Sequence, residues 1–285
     1  MTGFTARMSK FLAAGAVLSG LAVPALAGSA EVDATYSATL AGLPIGTGSL
    51  GYSLRGDDYR ASLDARISGF GKLFTSRVAK AESEGKFGND RANARTYSLD
   101  IQGGGIPNYV RMAMTNGAVT GIDASEVRLP GWDNRVPLTP AHKKGVIDPL
   151  AGFMIKVDAG KDPFAKDNCQ RVQQVFDGRV RYDLRLVYGA TSEVKGSSGS
   201  YAGKALICAV GYKPIAGFRH LTEEERKFEE SIEFSIWFVP VGDTGVMLPH
   251  RVLVGTPVGL LIVKADRFMI RADGGDITAS IPTKK

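Results

Sequence analysis

From Val32 onward the chain keeps a period of two, and this alternation limits its fold more than any other feature. Val32, Ala34, Tyr36, Ala38 and Leu40 alternate with Asp33, Thr35, Ser37 and Thr39. Tyr59, Ala61, Leu63, Ala65 and Ile67 do the same against Arg60, Ser62, Asp64 and Arg66, and Tyr182, Leu184, Leu186 and Tyr188 against Arg181, Asp183 and Arg185. Ile232, Phe234, Ile236 and Phe238 form a fourth such set. Each set describes a strand with one buried and one wetter face. Turn signals separate the runs: Gly42 to Gly46, Gly56-Asp57-Asp58, Asn116-Gly117, Asp177-Gly178 and Gly242-Asp243. Antiparallel meanders of this kind build barrels, half-barrels or sandwiches. The predicted fold is mainly β: a single curved antiparallel sheet, an open barrel-like domain with one short covering helix.

That helix is predicted where the alternation breaks. Asp148-Pro149 has the form of an N-cap followed by proline at the first helical position. Leu150, Phe153, Met154 and Val157 then fall at i, i+3, i+4 and i+7, one apolar helical stripe that would face the sheet. A second helix is predicted over Thr222 to Glu230, so charged that it belongs on the solvated surface. No repeat, linker or composition break divides residues 28–285, which are expected to form one domain.

The first residues predict export. Arg7 and Lys10 precede an apolar stretch, Phe11 to Val23, that is too short and too broken by glycine to span a bilayer, which needs about 20 residues. Ala25-Leu26-Ala27 supplies a small-x-small cleavage pattern. Residues 1–27 thus read as a signal peptide, with an uncleaved anchor as the rival reading, and the mature protein is expected in the periplasm. The stretch Val252 to Val263 is interrupted by Gly255, Pro257 and Gly259, so no membrane span is expected after cleavage. The net charge of +6 is spread along the chain without a Lys/Arg cluster that could track phosphates, which argues against a nucleic-acid partner.

Only two cysteines exist, Cys169 and Cys208. In an oxidising compartment an even count suggests pairing. The alternative is two buried thiols. A redox pair would usually be C-x-x-C, and a catalytic thiolate would want a nearby histidine.

Other motifs carry little chemistry. Gly46-Thr47-Gly48-Ser49-Leu50-Gly51 spells G-x-G-x-x-G, but it lacks the strand before and helix after that a nucleotide site requires. It reads better as a bent strand. His142, His220 and His250 show no metal-ligand spacing, so no metal and no cofactor are predicted. His250 is expected to be a half-exposed sheet residue. Arg179, Arg181 and Asp183 share one strand face and read as a cross-strand ion-pair ladder before a polar site. Gly103 to Pro107 is a glycine-rich connection that could border a cavity mouth.

The middle of the chain carries a resemblance. Asp148-Pro149-Leu150 is followed by Cys169 and then by Phe176-Asp177-Gly178-Arg179-Val180-Arg181-Tyr182-Asp183-Leu184, with Cys208 in the next strand and Leu248-Pro249 opening another. This resembles the exported bacterial family catalogued as domain of unknown function 3108, from about Tyr36 to about Phe268. The resemblance implies no activity. A weaker analogy, at the level of fold, is to periplasmic lipid and lipoprotein carriers.

The expected function is therefore a non-enzymatic protein of the cell envelope. It would bind a lipid, another apolar small molecule or an envelope protein along its curved sheet. The candidate ligand-binding residues are Tyr36, Leu63, Phe153, Met154, Leu184, Phe234 and Ile236, which hold the apolar phase of their segments. The alternatives are an enzyme acting on envelope glycans or lipids, and a scaffold that docks partners by a sheet edge.

Overall fold

The computed structural model describes residues 29–73, 77–88, 91–103, 105–126, 134–196, 200–272 and 275–276; the expected signal segment lies outside them. The N-terminal half is a meander of β1 (Ala30–Leu40), β2 (Leu43–Arg55), β3 (Asp58–Ile67), β4 (Val78–Phe87), β5 (Ala92–Gln102), β6 (Asn108–Thr115) and β7 (Ala118–Ala124). A two-residue strand, β8 (Ile155–Lys156), follows. The C-terminal half is β9 (Arg171–Phe176), β10 (Arg181–Val194), β11 (Gly203–Ala216), β12 (Phe234–Pro240), β13 (Val246–Thr256) and β14 (Gly259–Ala272), with β15 (Gly275–Asp276) at its end.

These strands form one sheet in the order β7-β6-β5-β4-β3-β2-β1-β14-β13-β12-β11-β10-β9, with β15 on β14 and β8 on β13. Every ladder is antiparallel. The two meanders join where β1 pairs β14, from Ala30↔Ala272 to Leu40↔Leu261. The period-two reading holds: Val32, Ala34 and Tyr36 are buried while Glu31, Asp33 and Thr35 are exposed. The turns follow their residue types. Asn116 and Gly117 both take positive φ, 49° and 74°, as the tight hairpin between β6 and β7 requires. The Asp177 carboxylate accepts from the backbone N–H of Arg179 and of Val180, at 2.8 and 2.7 Å, and folds the β9–β10 connection on itself.

The sheet curls without closing by strand pairing, and a strap crosses the seam. Val146 N–H donates to the Gly117 carbonyl beside β7, at 2.8 Å. Ile147 N–H donates to Gln174 of β9, and Phe176 N–H donates back to Ile147, both at 2.9 Å. Arg179 spans the same seam, donating to the carbonyls of Tyr109 (2.8 Å) and Ser125 (3.2 Å). Gly178 is required here twice over. Its φ is +98°, and a Cβ would lie 2.4 Å from Val110 of β6. Gly178→Ala is expected to cost about 2 kcal/mol, from strain at that φ together with the clash. A denaturation midpoint unchanged from the parent would show that the seam can part there freely.

The predicted covering helix is corrected by the structure. Leu150 to Val157 makes only a single 3-10 turn, Ala151–Phe153, and then the extended strand β8, which pairs Val246 and Met247 of β13. Two causes are visible. Gly152 packs so close to Val175 that a Cβ there would sit at 3.0 Å, so the turn lies flat against β9. Ile155 and Val157 are β-branched and favour extended backbone, Ile155 in the ladder with β13 and Val157 donating its N–H to the Gly245 carbonyl just before β13. The apolar spacing still reported burial. Leu150, Met154 and Val157 are buried and Phe153 is half-buried, so the segment plugs the interior as expected, in a different secondary structure. The charged segment does form a helix, α1 (Glu223–Glu230), capped reciprocally by Thr222 and Glu225 and buried nowhere.

Candidate functional site

The inner face of β1–β5 changes character along its length. On β1 the inward Val32, Ala34 and Tyr36 are buried and Ala38 is half-buried. On β2 the order is Leu54, Tyr52 and Leu50 buried, then Gly48 half-buried. On β3 Tyr59 and Ala61 are buried, while Leu63, Ala65 and Ile67 are half-buried. Strand β4 runs from Ala81 to half-buried Ala79, and β5 from Tyr97 to half-buried Leu99 and Ile101. Strands β1, β3, β4 and β5 thus pass from a packed end to an end where apolar side chains meet space; on β2 the change is from large side chains to glycine, with Gly46 beyond Gly48 still buried.

That space is an apolar cavity of about 590 Å³, within the range of small-molecule pockets. Its walls explain it. Ala38, Gly46, Gly48, Ala65, Ala79 and Ala81 line it, so small residues stand where larger ones would fill the curl. Its floor is the plug: Pro149, Leu150 and Phe153. Pro249, Val252 and Val263 of β13 and β14 close one side, and Arg66 and Arg77 stand exposed at the open end.

The polar groups beneath the cavity are occupied. Tyr36 donates its hydroxyl to the Pro249 carbonyl at 2.6 Å, and burial raises its phenol pKa. Asp148 is fully buried. Its carboxylate accepts from Leu150 N–H at 2.8 Å, Ala151 N–H at 3.1 Å and the Ser83 hydroxyl at 2.9 Å, and Ser83 in turn meets the Tyr59 hydroxyl at 3.2 Å. Burial pushes the Asp148 carboxyl up to about 6 against the pull of those donors. The predicted cap is therefore real, and the network latches the plug to β4.

The structure brings Tyr36, Leu63 and Phe153 together in the cavity wall. It does not bring the other four candidates there. Met154, Leu184 and Ile236 are buried in the packed core, and Phe234 borders a separate outer cleft beside Leu253 and Leu260. Sequence reasoning missed the small-residue belt and the two arginines. The signal was present in Gly46 and Gly48 at inward positions of β2, which had been read only as strand bending.

Other expectations resolve similarly. Cys169 and Cys208 are bonded, with Cα atoms 5.5 Å apart. His250 is buried, not half-exposed, and packs by Tyr201 and Phe268; burial lowers its pKa to about 4. Arg181 pairs with Asp183 at 2.7 Å along one strand instead of across strands. The described residues contain no cluster of His, Cys, Asp or Glu with metal-site geometry and no helix long and apolar enough to cross a membrane. A larger depression, about 1000 Å³, crosses the outer face of β1–β7. Several of its charged groups are tied up in surface ion pairs, Arg60 with Glu84 at 3.0 Å and Arg111 with neighbouring Asp100 at 2.7 Å, and it lies open on the outer face, so the apolar cavity is the better candidate site.

Fold and site together define a class: an incompletely closed antiparallel β-barrel with a strapped seam and an apolar cavity above an internal plug. The chain belongs to the DUF3108 family, described as "Protein of unknown function", whose model matches residues 35–266. Among solved structures, the crystal structure of a beta-barrel-like protein of domain of unknown function DUF1849 from Brucella abortus is similar at a TM-score of 0.45 and 10% identity, over 85% of this chain and 97% of that one. No curated protein matches the chain significantly.

Proposed function

We propose that the protein is an exported, periplasmic envelope protein without catalytic activity, which holds a lipid chain or a comparable apolar ligand in the cavity of β1–β5. The observation that carries this reading is the cavity itself: about 590 Å³, walled by aliphatic and aromatic side chains and by six Gly and Ala positions that keep it empty of protein. Tyr36, Leu63 and Phe153 would contact the ligand, with Leu99 and Ile101 nearer the open end. The Asp148–Ser83–Tyr59 groups are engaged with one another and with the plug backbone, and none of the three lines the cavity, which supports binding over chemistry. The buried disulfide fits an oxidising compartment.

The test is binding of a fluorescent fatty acid, cis-parinaric acid, with native mass spectrometry of the freshly isolated protein. The parent should bind the probe and carry a lipid-sized mass that solvent extraction removes. Ala65→Phe with Ala79→Phe should fill the cavity. Each methylene denied burial is worth about 0.8 kcal/mol, so losing room for two or three weakens binding by about tenfold or more. A parent that neither binds the probe nor carries such a mass, or a filled variant that binds like the parent, would remove the reading.

A further inference from the structure

Among the described residues eight large apolar side chains are exposed; Val172, Val187 and Phe228 stand singly on β9, β10 and α1, and the other five gather. Leu43 begins β2 beside the Ala41-Gly42 turn, Phe70 lies in the β3–β4 connection, Ile106 in the β5–β6 connection, and Val258 and Leu260 at the β13–β14 turn. The antiparallel register puts these four connections at one end of the sheet. Leu40 pairs Leu43 on one side and Leu261 on the other, and Val78 pairs Gln102. Hydrogen bonds link neighbouring tips: Ala41 N–H to the Leu260 carbonyl and Ser68 N–H to the Ile45 carbonyl, both 3.0 Å. Ile106 is 72% exposed, Val258 69% and Phe70 51%, values far above those of an ordinary packed side chain. This is also the end at which the cavity opens.

The charges on these four connections have one sign. The stretch from Ala65 to Val78 carries Arg66, Lys72 and Arg77 and no acid, and the other three connections carry no charge at all. Among the described residues none of these three cations has an ion-pair partner. The acids at this end sit elsewhere on the rim: Glu126 just after β7, Asp177 in the β9–β10 turn, and most of them in the β11–β12 connection, with Glu223, Glu224, Glu225, Glu229 and Glu230 of α1 and then Glu233, whose backbone carbonyl accepts from Gly255 N–H at 2.7 Å. The rim is thus split into an apolar, basic arc over the mouth and an acidic arc beside it.

The geometry points to a docking surface for an anionic lipid bilayer: the loop tips Leu43, Phe70, Ile106 and Val258 enter the interface, and Arg66, Lys72 and Arg77 meet the headgroups, so that the cavity mouth faces the membrane. Four separate tips, each with one or two apolar residues, suit a yielding lipid surface better than a rigid protein face, and apolar insertion plus basic attraction is how peripheral proteins hold to anionic membranes. The α1 arc tilts away from the same surface by repulsion. The inference deepens the ligand reading above, because it gives an acyl chain a route between bilayer and cavity.

Flotation with vesicles of phosphatidylglycerol and phosphatidylcholine, against vesicles of phosphatidylcholine alone, tests it. The protein should float with the anionic vesicles, and less so at high salt. Phe70→Ser with Val258→Ser should weaken that binding by about tenfold or more. Lys72→Glu should weaken it by about fivefold or more, and only on anionic vesicles. None of these three residues lines the cavity, so cis-parinaric acid binding should stay at the parent level in every variant. Variants that float like the parent overturn the docking surface and leave the cavity reading standing. Loss of probe binding by the parent overturns the cavity reading alone. Self-association relieved by the serine changes, with no vesicle binding, assigns the tips to a second copy and also overturns the membrane surface.

Discussion

Replacing Cys169 and Cys208 together by alanine is expected to lower the stability of the protein by about 4 kcal/mol. The bond joins residues 39 apart, and the chain-entropy model assigns about that much to closing a loop of this length in the unfolded state. Both residues are fully buried, so alanine avoids placing a hydroxyl in the core. The position of the bond sharpens the prediction. Cys169 ends the short turn Lys166–Cys169 just before β9, and Cys208 lies in β11. The bond thus reaches over β10 and fixes the entry of the edge strand β9, which holds the strap through Ile147. Urea unfolding should show the lost stability. Amide exchange should show it first in β9 and in the strap, because no strand-to-strand ladder closes the seam among the described residues. A loss below about 1 kcal/mol, or exchange protection unchanged in β9, would mean that the strap secures the edge without the crosslink.

The same region shows what the sequence could reveal. Alternation identified β1, β3 and β10 because each has one wet face, and Asn116-Gly117 and Asp177-Gly178 marked hairpins because their backbone demands left-handed or self-capped geometry. Sheet order was not legible. The pairing of β1 with β14 joins residues more than two hundred apart, and no local signal encodes which strand lies beside β1. The plug was legible as buried and capped, but not as extended, because its secondary structure is decided by β13 and Val175, which are distant in sequence. The ligand candidates divide for a related reason. Period-two phase tells which face a residue occupies, not how far along the curl it stands. Leu63 and Leu184 share the inward phase, yet one lines the cavity and the other is packed in the core. Depth depends on where small residues and the plug leave space, which only the assembled sheet decides.

The plug also makes the second large prediction, a dependence of stability on pH carried by Asp148. Among the described residues no cation pairs with its buried carboxyl; it accepts from the Leu150 and Ala151 backbone N–H groups and from the Ser83 hydroxyl. Burial is the largest influence and raises its pKa from the usual 3.8 to about 6. In the unfolded chain the same carboxyl ionises near its ordinary value. Between about pH 4 and 6 the native state therefore holds a proton that the unfolded state has released, and stability falls as pH rises through that window. A rise of about two pKa units corresponds to about 3 kcal/mol. Asp148→Asn removes the ionisation while keeping an oxygen to accept from Leu150 and Ala151. The stability of the variant relative to the parent should increase from pH 4 to pH 6 and level off above pH 7. His250 has the opposite sign: its lowered pKa costs stability as pH falls through about 6.5 toward 4. Both proteins retain His250, so its contribution cancels in the difference, as does that of Asp177, whose carboxyl is also raised by burial. Urea midpoints of parent and variant at a series of pH values give the difference directly. A difference constant with pH would show that Asp148 is ionised in the native state with no penalty, held by its three donors alone, and the latch would then be a source of stability at neutral pH instead of a cost.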